Sequence, residues 1–199
     1  MAPITDISQL DLSKTYSYAD YLTWQFTEYV ELIKGKVMRK MSAPTTHHQE
    51  VVGNLHLTLG NHLRRSSCKV FLAPFDVRLL KATGNGDAQI KTVVQPDLCV
   101  VCDLSKIDAA GCLGAPDWVI EVISPSTARL DMSVKSALYA ENGVREYWIV
   151  YPNERIVTTY GLRGEEFKLL ETYAQPGLIS SLVLPELQME WADVFEGLG

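Results

Sequence analysis

The segment from Asp117 to Thr127, DWVIEVISPST, limits the fold more than any other part of the chain. Apolar residues surround one glutamate, Glu121, in the pattern of a strand that is buried on both faces of a sheet. An ionised carboxylate at such a position would cost several kcal/mol if nothing paired with it. We therefore expect Glu121 either to be satisfied by a structural partner or to be held there for chemistry.

The patterns on both sides of this strand predict an α/β protein of the α+β type, with a central mixed sheet flanked by helices. We expect one helix in SYADYLTWQF, with Ser17 as its N-cap, and a second from a capping box at Thr46–Gln49 to about Arg65. The pair Lys34-Gly35 predicts the turn of a β-hairpin. Strands are expected in KVFLAPFDVRLL with a kink at its proline, KTVVQPDLCVVC, REYWIVYP and RIVTTYGLRGEEFKLLETY, a helix in ARLDMSVKSALYAENG, and a strand or short helix in LPELQMEWADVF.

The length and composition predict a single domain across residues 1–199. A chain of 199 residues is long enough for one substantial core and short for two, and it shows no repeat or linker. Its 47% hydrophobic and 21% charged residues are ordinary for a globular protein. Residues 1–15 are expected to form a loose lead-in to the domain.

The apolar runs and the cysteines predict a cytoplasmic protein without a membrane span. No run reaches the roughly 18–20 apolar residues that a span needs, and the N-terminus lacks the basic-then-apolar order of a secretory signal. The four cysteines are therefore expected to be reduced thiols. Cys99 and Cys102 form a C-x-x-C pair, but on a strand positions three apart face opposite sides. We expect them to be buried structural residues rather than half of a zinc site.

The net charge of −6 argues against a protein that coats nucleic acid through a basic face. It does not exclude a nuclease, because the metal-binding pocket of a nuclease is itself acidic. The basic residues are scattered without interleaved aromatic residues, and we expect them to be solvated surface: Arg39, Lys40, Arg64, Arg65, Arg78 and Arg129.

Three features together suggest a reaction site. Gln95-Pro96-Asp97 lies in the strand region before Glu121, and Lys135 lies on the helix after it. If the strands that carry Asp97 and Glu121 are neighbours, the two carboxylates converge and repel each other unless a hard divalent cation lies between them. Few oxygen ligands with room for water suit Mg²⁺ or Mn²⁺. Such an ion activates water against a phosphodiester, and a nearby ammonium steadies the developing negative charge.

The same residues also have structural interpretations. Asp97 and Glu121 could cap strand ends or form buried ion pairs with a basic residue: Arg78, Arg129 or Lys135. Lys135 could instead be exposed and pair with Asp131, four positions earlier. Spacing alone does not decide between these interpretations and a shared pocket.

The order of these motifs resembles the PD-(D/E)XK nuclease superfamily. In the usual pattern a lysine lies two residues after the glutamate, where this chain has Ile123. Some members supply the lysine from the next helix, and Lys135 is the candidate for that role. More closely, the chain resembles the Uma-two family of endonucleases, in the segments VELIKGKV, SAPTTHHQEVVGNL, APFDVRL, VVQPDL, GAPDWVIEVISPSTARLD, KSALY and GVREYWIVYP.

This resemblance implies a restriction-endonuclease-like core and a set of site residues. It assigns metal binding to Asp97 and Glu121, and a catalytic role to these two residues together with Lys135. It also implies that Glu31 points into the pocket. Weaker pocket candidates are Asp76, His48 and Gln95.

The resulting hypothesis is a Mg²⁺- or Mn²⁺-dependent endonuclease that hydrolyses phosphodiester bonds in DNA and has no membrane partner. A homodimer is the default for nucleases that cut both strands. Two alternatives stay open: a non-catalytic relative that keeps the fold as an interaction or regulatory module, and a hydrolase of small phosphodiesters. The interaction module is supported by the acidic charge and by Lys34 and Lys36, because the family more often has an acidic pair around the hairpin glycine.

Overall fold

The computed structural model describes residues 3–39, 44–80, 86–123 and 130–199. Within these residues, the strands form two six-stranded sheets and one two-stranded sheet. The strands are β1 (Val30–Ile33), β2 (Lys36–Arg39), β3 (Lys69–Leu72), β4 (Val77–Leu79), β5 (Thr92–Val94), β6 (Leu98–Val101), β7 (Ile107–Asp108), β8 (Gly111–Leu113), β9 (Trp118–Val122), β10 (Glu146–Tyr151), β11 (Ile156–Arg163), β12 (Glu166–Tyr173), β13 (Leu178–Ile179) and β14 (Met189–Glu190). The α-helices are α1 (Tyr18–Tyr21), α2 (Thr46–His62), α3 (Ser136–Glu141) and α4 (Trp191–Val194), and a π-helical segment, Leu130–Lys135, leads directly into α3.

The first sheet has the strand order β2-β1-β5-β4-β8-β7, and the second has the order β12-β11-β10-β9-β6-β3. Each contains one parallel pair, β4 with β8 and β9 with β10, among antiparallel neighbours. The predicted α+β class with mixed sheets is therefore observed, but the strands divide between two large sheets. The predicted strands KVFLAPFDVRLL and KTVVQPDLCVVC are each divided between the two large sheets. The chain passes from one sheet to the other near Pro74 in the first and near Pro96 in the second. Proline has no N–H to donate to a ladder.

Strand β9 confirms the prediction made from DWVIEVI, since all five of its residues are buried. Its side chains alternate between two cores. Trp118, Ile120 and Val122 pack with apolar residues of α2 and α4 on one face, whereas Val119 packs with α3 and with the first sheet on the other. The glutamate in the middle of this strand is therefore held by packing on both sides.

Local signals in the sequence account for several element ends. The β1–β2 hairpin turns at Lys34 and Gly35, whose φ values of 48° and 81° match the turn that joins two-residue hairpins. The N-cap of helix α2 is Thr45, one residue before the start of the predicted box, and its side chain accepts the His48 N–H. Helix α1 is capped by Ser17 as predicted, but it ends at Tyr21, well short of the expected length.

The lead-in expected to be loose is packed against the first sheet. Ile7 and Leu10 are buried together with Val30 of β1. The Lys36 ammonium also donates to the carbonyl groups of Ser13 and Lys14, at 2.7 and 3.0 Å. These contacts fix the entry of the chain beside the β1–β2 hairpin. Within the described ranges, no helix has both the length and the apolar character that crossing a bilayer requires.

The expectation of four reduced thiols is wrong for Cys68 and Cys102, which are joined in a disulfide. The antiparallel ladder of β3 and β6 places these two residues opposite each other, just beyond its end. Cys99 and Cys112 are free and buried, and burial holds the pKa of the Cys99 thiol well above its usual value. Cys99 and Cys102 pack into cores on opposite faces of the sheet, as strand alternation predicts.

Glu146, at the start of β10, joins the C-terminal segment to the second sheet. Its fully buried carboxylate accepts hydrogen bonds from Trp148 Nε1 at 2.7 Å and Ser181 Oγ at 2.8 Å. The backbone N–H groups of Leu182 and Val183 donate to it at 3.0 and 2.7 Å. Main-chain and neutral side-chain donors thus satisfy this carboxylate.

Candidate active site

Asp97 and Glu121 face each other across neighbouring strands. Antiparallel β6 and β9 pair Leu98 with Ile120, so the same register places Asp97 opposite Glu121. The Val122 N–H donates to Asp97 Oδ2 at 2.9 Å, and the Asp97 N–H donates to Glu121 Oε2 at 3.4 Å. Each carboxylate thus contacts the main chain beside the other, and the sequence-based expectation that they converge agrees with the structure.

Lys135 lies between two carboxylates in the interior. Its Nζ is 3.0 Å from Glu31 Oε1 and 3.1 Å from Glu121 Oε1, and the residue is 1% exposed. The alternative of an exposed lysine is therefore wrong. Lys135 is the last residue of the π-helical segment, a rare form of helix that is frequently found at functional sites. The side chain of Asp131, its alternative partner, lies outside the described part of the structure.

Tyr139 belongs to the same cluster, although the sequence indicates it only as the tyrosine that ends the family segment KSALY and not as a site residue. Its hydroxyl donates to Glu121 Oε1 at 2.7 Å. Burial, and then the charges of Glu121 and Glu31, hold the pKa of the phenol well above its usual value, so that it remains a donor. The signal that could have found it is helical spacing, because Tyr139 follows Lys135 by one turn and shares its face.

Glu31 connects the cluster to Gln95 and Asp76. Glu31 Oε1 accepts the Gln95 N–H at 2.8 Å, and Gln95 Nε2 donates to Asp76 Oδ1 at 2.8 Å. Glu31 also pairs with Lys135, which lies beyond the hairpin in the chain. Burial raises the pKa of the Asp76 carboxyl, and the hydrogen bond from Gln95 opposes that rise. Asp76 is thus linked to the cluster through Gln95.

His48 is buried against Asp97, whereas its neighbour His47 is exposed. His48 Nε2 lies 3.2 Å from Asp97 Oδ2, and we assign the proton to this nitrogen because a carboxylate oxygen can only accept. His48 Nδ1 is buried without a hydrogen-bond partner in the described structure. His47 Nδ1 instead faces Asn153 Oδ1 at 3.2 Å. Adjacent histidines on α2 therefore diverge, as helical geometry predicts.

Several other basic candidates pair with residues outside this cluster. Arg78 is buried rather than solvated, and its Nη2 donates to Asp108 Oδ1 at 2.6 Å. Lys34 pairs with Glu141 of α3 at 2.9 Å, so the lysines at the hairpin turn contact other parts of the fold. Arg39 pairs with Glu28 on the surface. Lys40 and Arg129 lie outside the described residues.

The donor set suits a hard divalent cation. Among the described residues, the cluster joins the carboxylates of Glu31, Asp97 and Glu121 with one ammonium, that of Lys135. The excess of negative charge is the kind that a divalent ion offsets. No group of three or more His, Cys, Asp or Glu side chains in the described ranges is arranged to hold a metal. Magnesium, however, is commonly bound by one or two carboxylates plus water and substrate phosphate. Asp97 and Glu121 fit that pattern.

Comparison with known proteins decides the family. The family model Uma2, described as "Putative restriction endonuclease", matches residues 18–192. The chain belongs to the Uma2 family. The matched region contains every residue of the buried cluster, so this site lies within the family domain.

A similar protein and a similar structure accompany this match. The "Uncharacterized protein slr1290" of Synechocystis sp. is 27% identical over 138 residues, which cover 66% of this chain and 65% of that protein's length. The crystal structure of "a putative nuclease belonging to DUF820" from Anabaena variabilis superposes with a TM-score of 0.71. That structure is 19% identical and the alignment covers 90% of this chain and 97% of the other. The α+β fold expected from the sequence, that of a restriction-endonuclease-like protein, is thereby confirmed.

Proposed function

We propose that this Uma2 protein is a metal-dependent endonuclease that hydrolyses phosphodiester bonds in DNA. The supporting observation is the convergence of Asp97, Glu121 and Lys135, which are distant in the chain, into one buried cluster. Buried ionisable groups that converge in this way are typical of functional sites. Family membership supports a nuclease reaction, and the cluster contains groups that such a reaction would use.

Asp97 and Glu121 are the proposed ligands of Mg²⁺ or Mn²⁺. When bound, the ion would polarise a phosphoryl oxygen and lower the pKa of water. Asp97 is held by the Val122 N–H and by His48, and Glu121 by Lys135 and Tyr139. These hydrogen bonds orient both carboxylates before substrate arrives, which lowers the cost of reorganisation during the reaction.

Lys135 is the proposed electrostatic catalyst. Its ammonium is held between Glu31 and Glu121, at 3.0 and 3.1 Å. There it would steady the attacking hydroxide and the negative charge that develops on the phosphate. Glu31 positions this lysine and is itself fixed by the Gln95 N–H.

A plasmid-nicking assay tests the proposal. We expect the wild-type protein to convert supercoiled plasmid to open circles with Mn²⁺ or Mg²⁺ and not with EDTA. Asp97→Asn and Glu121→Gln should each lower the rate at least about 100-fold. Asp117→Asn is the matched control, because Asp117 pairs with Arg145 outside the cluster. Equal rates in Asp97→Asn and wild type would contradict the proposal, and turnover of only bis(p-nitrophenyl) phosphate would indicate a small-phosphodiester hydrolase.

We further propose a homodimer in the cytoplasm. An enzyme made of two symmetric copies would have two active sites, one for each strand of a duplex. Light scattering coupled to gel filtration measures the mass of the particle, and cell fractionation measures its compartment. A monomer at micromolar concentration in the presence of DNA would contradict the dimer.

A further inference from the structure

The Cys68–Cys102 disulfide fixes the turn between α2 and β3 to the neighbouring strand. Helix α2 and strand β3 follow each other in the chain and pack together, and Cys68 immediately precedes β3. Cys102 immediately follows β6, the strand with which β3 forms an antiparallel ladder. The bond therefore closes one end of a helix–strand unit, and the proposed reaction does not use it.

The other end of this unit contacts Asp97 from two directions. His48, in the first turn of α2, has its Nε2 3.2 Å from Asp97 Oδ2. The N–H of Ala73, which directly follows β3, donates to the Asp97 carbonyl oxygen at 3.2 Å. In the described part of the chain, β3 is the outer strand of its sheet. Its position beside Asp97 therefore depends on the ladder with β6 and on the disulfide at the far end of that ladder.

The surroundings of the cysteines favour a bond that opens and closes. Disulfides are rare in cytoplasmic proteins, and those that form there are usually transient and serve catalysis or redox sensing. A reversible bond therefore agrees with the proposed compartment better than a permanent one. Of the bonded pair, Cys102 is half-buried and Cys68 is buried, so Cys102 is the more open to a small thiol. Burial raises the pKa of the free thiols of Cys99 and Cys112, which disfavours their reaction.

We propose that the Cys68–Cys102 disulfide is a reversible redox switch that orders the Asp97 side of the site when oxidised and loosens it when reduced. The reductant is a small thiol, whose thiolate attacks Cys102 Sγ. The sulfur–sulfur bond breaks, and Cys68 Sγ keeps the electron pair and takes up a proton. A second thiolate then attacks the mixed disulfide, which leaves Cys102 as a thiol and releases the reagent as its own disulfide.

Reduction leaves β3 attached to β6 by the backbone ladder alone. The cross-link joins residues 34 positions apart, so its loss increases the conformational freedom of the opened segment. An outer strand then opens locally more often, which interrupts the Ala73 contact with Asp97. The effect on metal binding rests on the proposed function, whereas the effect on the order of β3 does not.

Hydrogen exchange and Mn²⁺ binding, measured on oxidised protein and on protein reduced with dithiothreitol and then desalted, test the switch. Alkylation and mass spectrometry establish the state of each cysteine. After reduction, the β3 amides that pair with β6 and the Ala73 amide should exchange at least about 10-fold faster. Affinity for Mn²⁺ in calorimetric titration should fall by a similar factor. Oxidised glutathione should restore both properties.

Two variants serve as controls for this experiment. The double variant Cys68→Ser/Cys102→Ser should match reduced wild type and should not respond to dithiothreitol. Cys112→Ala retains the disulfide and should respond as wild type does. Melting temperatures of the oxidised and reduced forms show that both are folded at the temperature of the measurements.

The outcomes separate this inference from the proposed function. The switch is overturned if dithiothreitol reduces the bond only in urea, or if both forms exchange the β3 amides equally fast. It is also overturned if both forms bind Mn²⁺ with equal affinity. If neither form binds Mn²⁺ but reduction still accelerates exchange, the proposed metal site fails, and control of β3 by the disulfide is supported.

Discussion

Replacement of Lys135 by methionine should destabilise the protein more than replacement of any surface lysine. Methionine has a similar shape but no charge, so Lys135→Met leaves the Glu31 and Glu121 carboxylates close together without the ammonium between them. Removal of one partner from a buried ion pair costs about 3–5 kcal/mol. In a chain of this size, 1 kcal/mol changes the melting temperature by roughly 2–4 °C, so the expected decrease is about 10 °C.

Lys34→Met is the matched control for this variant. Lys34 also forms an ion pair, with Glu141 at 2.9 Å, but its side chain is 64% exposed. Exposed pairs contribute at most about 1 kcal/mol. The double variant Lys135→Met/Glu31→Gln should recover part of the lost stability, because it removes one of the two repelling charges.

Urea unfolding at pH 7, followed by tryptophan fluorescence, measures the free energy of unfolding of these variants. Two results would contradict this explanation. Lys135→Met would lower the free energy of unfolding no more than Lys34→Met does, or the double variant would be less stable than Lys135→Met alone. Either result would mean that Lys135 does not hold two buried acids together.

Three further predictions concern Asp76, Glu146 and Gly111. Burial raises the pKa of Asp76 in the folded protein, so the unfolded chain loses this proton first as the pH rises. The contribution of Asp76 to stability is therefore complete below about pH 3.8 and declines as the pH rises through the folded pKa. Asp76→Asn should remove that part of the slope in unfolding free energy against pH. Glu146→Gln should cost roughly 2–4 kcal/mol in urea unfolding, because its new NH₂ group would face donors; an unchanged midpoint would contradict this. Gly111→Ala should cost more than Gly143→Ala in thermal unfolding, since both have positive φ but only at Gly111 would a Cβ collide with the Asp76 main chain.

Patterns formed by residues that are close together in the sequence predict much of the fold. Alternation in DWVIEVI identified a buried strand, Lys34-Gly35 identified the hairpin turn, and Ser17 identified a helix start. Each of these signals depends on neighbouring residues, through side-chain period, positive φ or capping. The residues Glu31, Asp97, Glu121 and Lys135 were named from motif order, and the structure brings them together.

Features that depend on long-range register were not predictable from these patterns. The Cys68–Cys102 disulfide requires β3 to pair with β6, and nothing in either segment specifies that partner. Three of the four donors to Glu146 come from residues 181–183, far along the chain. Tyr139 was missed for another reason: a tyrosine on an apolar helix face is ordinarily core, and only the position of Glu121 on the facing strand gives it a role.

Calorimetric titration of the wild-type protein and of Asp97→Asn with Mn²⁺ tests whether Asp97 and Glu121 bind a metal ion. We expect wild type to bind one ion per chain at micromolar to millimolar concentration. We expect Asp97→Asn, still folded by circular dichroism, to bind none. Absence of binding to wild type at millimolar Mn²⁺, or equal binding by both proteins, would contradict the claim that Asp97 and Glu121 form a metal site.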